Sequence, residues 1–128
     1  MPESLLSRDF TNLTAWLEFL PSGVCLIGLR GDLDQAVLEE LSDFINENLS
    51  EQQTAVIIDM SELDFMDSSG VKFVNRMVRM FGYGNVAVYK ISRDCDRILA
   101  VLALKNKITH LNRPDELRVW RGETRYAA

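Results

Sequence analysis

The chain has 128 residues, 47% of them hydrophobic, with 19 acidic and 14 basic side chains giving a formal net charge of −5, enough for one domain that buries roughly two-thirds of its unfolded surface without disulfides or metals. A phosphate-backbone binder normally carries a basic footprint, so nucleic acid is not an expected partner. No run approaches the ~18 to 20 apolar residues of a membrane span, and "MPESLLSRDF" lacks a basic region followed by an apolar stretch, so no membrane partner and a cytoplasmic location are expected.

Residues 1–12 receive no assignment and are read as an N-terminal extension preceding one domain over 13–128. "LTAWLEFL", the turn "PSG" and "VCLIGLRG" predict a hairpin from about 13 to 30. From Asp34, "DQAVLEELSDFINENL" places Val37, Leu38, Leu41, Phe44, Ile45 and Leu49 on one helical stripe, with Glu39, Glu40, Asp43 and Glu47 outside it. "TAVIIDM" is a short apolar run of the kind found in a central, covered strand, with Asp59 near its carboxyl end. Val71, Val74, Val78 and Phe81 recur at helical spacing until "GYGN", which predicts a helix over about 68–81. "VAVYKI" is a further strand, Ser92 a cap for "RDCDRILAVLALK", "KITHL" a short strand, and Pro114 suits the start of a terminal helix in "RPDELRVW". The order β-β-α-β-α-β-α-β-α predicts an α/β fold, a mixed but mostly parallel sheet with crossover helices. In such sheets, sites gather beyond the carboxyl ends of the strands.

Few side chains outside that region point to chemistry. Cys25 and Cys95 lie in apolar patterns without metal-ligand spacing and read as buried free thiols. Trp16 and Trp120 are expected over core edges and His110 in a short strand. "ILAVLAL" is apolar nearly all round, so Val101 or Leu104 is a candidate contact with a partner or a second copy.

The segment "DFMDSSGVKF" sets two hydroxyls beside a carboxylate where a strand gives way to a helix. Ser68 and Ser69 have three readings there. Either hydroxyl can cap the helix by accepting from an unpaired backbone N–H, worth about 1 kcal/mol. A nucleophile would need a base and a group to orient it, yet the chain has one histidine and no G-x-S-x-G elbow. A phosphate would meet free N–H groups at the positive end of a helix dipole and add about −1.5 to −2 charge beside Asp64 and Asp67.

"GLRGDLDQAVLEEL", followed some twenty residues on by "AVIIDMSELDFMDSSGV", resembles the STAS domain of bacterial anti-sigma factor antagonists over roughly residues 13 to 120. The resemblance implies a non-enzymatic, cofactor-free regulator of transcription that works by partner switching. It implies that Ser68, the serine directly after Asp67, is phosphorylated by an anti-sigma factor that is also a serine kinase, and that a PP2C-type phosphatase removes the phosphate. Ser69 is then a neighbour with a capping role. The family's partner surface includes the loop at Gly31 to Asp34, which brings in Asp32 and Asp34 beside Asp67, Ser69 and Gly70; a turn and a helix cap remain the alternative for the two aspartates. Lys72 stands where family members usually carry little bulk, and with Arg76 and Arg79 it forms a basic stripe read either as solvated surface or as a dock for an acidic partner. No metal site is implied.

A rival reading takes "AVIIDM" as the phosphoacceptor strand of a response-regulator receiver, with phosphate on Asp59 and Mg²⁺ held by other carboxylates. The pair Asp32 and Asp34 lies only one helix earlier, with no strand between, and Lys90 lacks the proline that usually follows in receivers.

Overall fold

The computed structural model describes residues 5–101 and 105–121. Six strands, β1 (Leu5–Asp9), β2 (Leu13–Phe19), β3 (Val24–Leu33), β4 (Ala55–Met66), β5 (Val86–Tyr89) and β6 (Thr109–Leu111), lie in the sheet in sequence order. The first three pair antiparallel, and β3 through β6 are parallel. The parallel steps are bridged by α1 (Leu38–Asn48), α2 (Ser68–Phe81) and α3 (Arg93–Val101), and α4 (Pro114–Val119) follows β6. Fold class and helix order agree with the sequence reading, with one strand more.

That strand is β1. The sequence offers no assignment for residues 1–12, yet Leu5–Asp9 pairs in full with Thr14–Glu18. Most of its side chains are exposed, which removes the alternation of apolar and polar residues that reveals a half-buried strand. Arg8 lies over the ring of Phe44 at 4.9 Å, and Phe10 meets the same ring edge-on with centroids 6.1 Å apart. Arg8 and Phe10 therefore pack this part of the extension on α1.

Alternation along the strands divides the core. Val56 and Ile58 of β4, with Cys25, Ile27 and Leu29 of β3, face α1, α2 and α3, where Leu41, Ile45, Phe73, Met77 and Leu99 are fully buried. Their neighbours Val24, Ala55, Ile57, Ala87 and Tyr89 face the other way, under Leu117 and Trp120 at α4. "TAVIIDM" is thus covered on both sides, as its unbroken apolarity predicts. Trp16 lies on Gly28 on this second face: a Cβ at position 28 would come within 1.8 Å of the indole.

Three boundaries differ from the sequence reading. β3 continues to Leu33 and β4 to Met66, paired with each other across register shifts at Gly28/Arg30 and Gly31/Asp32. Asp59 therefore sits in mid-strand, between Gly28 and Tyr89, instead of near a strand end. α1 begins at Leu38 because Asp34 makes a turn of its own, accepting from Ala36 N through Oδ1 at 3.0 Å. Ser92 caps α3 as expected, its Oγ accepting from Cys95 N at 3.1 Å. His110 of β6 meets Asp96 of α3 at 2.9 Å. Both cysteines are free and buried, and burial, with Glu18 nearby, pushes the Cys25 thiol up to about 12. The Val101 side chain and Leu104 lie outside the described residues. No described helix is long and apolar enough to cross a membrane.

Candidate functional site

The site forms where β3 and β4, the longest strands, end together. Met66 closes β4, and Asp67 turns the chain in an extended conformation (φ −104°, ψ −165°) to become the N-cap of α2. Its carboxylate accepts from Ser69 N at 2.7 Å, and its carbonyl accepts from Gly70 N at 3.0 Å. The cap expected of a serine is supplied by the aspartate instead. Consequently the amides of Ser69 and Gly70 are already engaged, and the free N–H groups expected to meet a phosphate are not available at those two residues.

The two serines diverge by helical geometry. Ser68, first residue of α2, is exposed. Ser69 turns inward, is 1% exposed, and donates its Oγ–H to Gln35 Oε1 at 2.9 Å. Gly70 is required by a close approach: a Cβ there would lie 2.0 Å from Met66 Cγ and 3.4 Å from Leu33 Cδ2. It lets the first turn of α2 settle onto the ends of both strands and presents no surface of its own.

Beside Ser68 the end of β3 brings up the second half of the site. Asp32 pairs in register with Phe65, and its N–H donates to Asn12 O at 2.8 Å. Gly31 adopts φ +108°, and a Cβ there would meet that same carbonyl at 2.3 Å, so the turn before β2 supports this loop directly. Asp34 serves the turn described above, which agrees with the turn half of its alternative reading and not with the cap. Phe65, the register partner of Asp32 and next in the chain to Asp64, is 50% exposed, a large apolar side chain left in water. Sequence reasoning passed over Phe65, Gln35 and Asn12. Phe65 would have been legible had β4 been extended to Met66; Gln35 and Asn12 act through contacts distant in the chain and leave no local signal.

The basic stripe is divided. Lys72 and Arg79 are exposed, but Arg76 reaches α1, with Nη2 2.8 Å from Glu39 Oε1 and Nη1 2.8 Å from Ser42 Oγ. The Arg76 guanidinium holds the Glu39 carboxyl below its ordinary range. Arg76 thus joins two helices. Arg79, Met80 and Met77 line a cavity of about 560 Å³ between those helices with Glu39, Asp43 and Asn46.

The remaining chemistry lies elsewhere. His110 aligns with Val88, which aligns with Ile58, eight residues back from Met66 and hence roughly 25 Å along β4, so it is no base for Ser68. Asp59 accepts from Ser61 N and Ser61 Oγ and lies six residues before Phe65, the register partner of Asp32, roughly 20 Å away along the strand. Among the described residues, a shared Mg²⁺ site of the receiver type is not assembled.

A sheet of this order, with a strand running into Asp-Ser-Ser-Gly at the head of its second crossover helix, defines a class, and the family model for the STAS domain matches residues 20–116. The chain belongs to the STAS domain family. Its fold is similar to that of the anti-sigma factor antagonist SpoIIAA in its unphosphorylated form (TM-score 0.70, 23% identity, 84% of this chain and 96% of that chain). It is similar also to an anti-sigma factor antagonist from Mycobacterium paratuberculosis (TM-score 0.69, 20% identity, 94% and 97%) and to the Bacillus cell fate determinant SpoIIAA in its phosphorylated form (TM-score 0.62, 23% identity, 80% and 95%). No curated protein sequence gives a significant match.

Proposed function

We propose that this protein is an anti-sigma factor antagonist that works by partner switching in the bacterial cytoplasm. The unmodified surface around Ser68 binds an anti-sigma factor that is also a serine kinase and so frees a sigma factor. Phosphorylation of Ser68 ends the complex, and a PP2C-type phosphatase restores it. The protein acts by binding and performs no chemistry of its own. The observation that carries this reading is the contrast within the serine pair: Ser68 is exposed at the start of α2, whereas Ser69 is 1% exposed with its hydroxyl committed. The solved phosphorylated and unphosphorylated forms of SpoIIAA, on the same fold, support it.

Electrostatics supports the switch. The Asp67 carboxylate and carbonyl already hold the Ser69 and Gly70 amides, so a phosphate adds about −1.5 to −2 charge to a surface holding Asp32, Asp64 and Asp67. A partner fitted to a bare hydroxyl and the Phe65 ring then meets a solvated anion, and desolvating it costs more than the contacts return.

The deciding experiment is incubation with the cognate kinase and ATP, followed by mass spectrometry. One phosphate on Ser68 is the expected result. Phosphate on Ser69 alone overturns the assignment, and a hydroxylamine-labile phosphate on Asp59 returns the receiver reading.

A further inference from the structure

The surface around Ser68 comes from two segments far apart in sequence. The end of β3 and the turn after it supply Asp32 and Asp34, and the head of α2 supplies Asp67, Ser68 and Lys72. Their relative placement has to be fixed by contacts between them. Underneath, Asp67 N donates to Leu33 O at 3.3 Å, and Gly70 lets Met66 and Leu33 pack close. Nearer the surface, the turn that precedes α1 is shaped by its own bonds, Ala36 N to Asp34 Oδ1 and Val37 N to Asp34 O. Those bonds define its form without placing it against α2.

The bond from Ser69 Oγ to Gln35 Oε1 does place it. Among the described residues it is the side-chain hydrogen bond that joins this loop to the first turn of α2. Its two ends are unequal. Ser69 is buried at 1% exposure, so its hydroxyl has a strong need of a partner inside the protein. Gln35 is exposed, and free in water its side chain would sample many rotamers. The buried hydroxyl thus captures a surface amide and with it the turn.

We infer that Gln35 is a positioning residue of the Ser68 site: accepting from the buried Ser69 hydroxyl, it locks the β3–α1 turn to the head of α2 and sets the shape of the surface that a partner meets. This gives Ser69 a function separate from capping and from phosphate acceptance. Because the bond does not involve Ser68, it persists when Ser68 carries phosphate, and the loop keeps its place in both forms. The partner-facing half of the inference rests on the function proposed above; the positioning half does not.

The test compares wild type, Gln35→Ala, Ser69→Ala, the double variant, and Gln35→Glu, which keeps an acceptor for the hydroxyl. In the protein alone, amide hydrogen exchange at Ala36 and Val37 should quicken in both alanine variants, be no faster in the double, and return toward wild type in Gln35→Glu. With the kinase that modifies wild-type Ser68, KM for this protein should rise roughly 3- to 10-fold in Gln35→Ala, the range that the net worth of one hydrogen bond allows, with kcat unchanged. Unaltered exchange in Gln35→Ala, or losses that add in the double variant, overturn the inference, as does a fall in kcat at constant KM. If no kinase phosphorylates wild-type Ser68, the proposed function fails, and the exchange measurements still decide whether Gln35 positions the turn.

Discussion

Ser68 and Ser69 share a helix start, a chemistry and an acidic neighbour, and a quarter turn of helix separates their fates. The exposed hydroxyl is open to a partner, and the buried one serves the fold. On the proposed function, Ser68→Asp should weaken binding to the kinase partner strongly while Ser68→Ala holds the complex, as measured by titration calorimetry; equal affinities would remove Ser68 from the interface. Phe65 makes a companion prediction. At 50% exposure it contributes little to the core, so Phe65→Ala should leave the melting temperature nearly unchanged yet cost about 1 to 3 kcal/mol of partner affinity if it anchors the interface. A loss confined to stability would make it a core residue after all. Cys25 gives a pH signature. Burial raises its thiol from an ordinary 9.0 to about 12, so the unfolded chain loses that proton first as pH rises. The associated stability is fully present below pH 9 and falls between 9 and about 12. Denaturant titrations across that window should show the decline, and Cys25→Ala should flatten it.

At the scale of elements, α2 is where sequence and structure agree best, with its span at Ser68–Phe81, and its head is where the fold is most exacting. Asp67→Ala removes the cap and should lower stability by about 1 kcal/mol. Gly70→Ala has to displace the Met66 side chain, which is 2% exposed, and overpacking of that kind costs about 1 to 3 kcal/mol. Chemical denaturation measures both, and an unchanged midpoint for Gly70→Ala would mean that Met66 repacks freely. α2 was legible because Val71, Val74 and Val78 keep helical spacing up to Gly82, where φ is +90°. The second half of β4 was not, because Glu62, Asp64 and Phe65 all point to water and the register shifts opposite them break the alternation. Asp34 resembled a helix cap because turn and cap use the same residue types; only the backbone distinguishes an Asx turn closing on Ala36 from a cap. Ser68 is a candidate in the sequence through the resemblance of "DFMDSSGV" to a family motif and its place at a helix start. Gln35 was invisible because its bond to Ser69 spans 34 residues.

Across the whole molecule, the site depends on parts that lie far from it in sequence, and residues 5–12 are the clearest case. Arg8 of β1 and Phe10 just after it cover the edge of α1, both against the Phe44 ring, while Asn12 offers the carbonyl that holds Asp32 N. These two roles separate by truncation. A chain beginning at Thr11 loses β1 and its packing but keeps Asn12. It should lose about 1 to 3 kcal/mol, chiefly from the partly buried Phe10, with a melting temperature lower by roughly 3 to 5 °C for each kcal/mol at this size. A chain beginning at Leu13 loses the carbonyl as well. The Asp32 amide then has no acceptor, and Gly31, which needed its positive φ to pass that carbonyl, is released from the constraint. Amide exchange at Asp32 should therefore be close to wild type in the first truncation and markedly faster in the second, at temperatures where both remain folded. On the function proposed above, in which a partner reads the placement of the loop, phosphorylation of Ser68 should follow the exchange and not the melting temperature. If both truncations alter Asp32 equally, the support comes from the strand as a whole and Asn12 has no separate part in it.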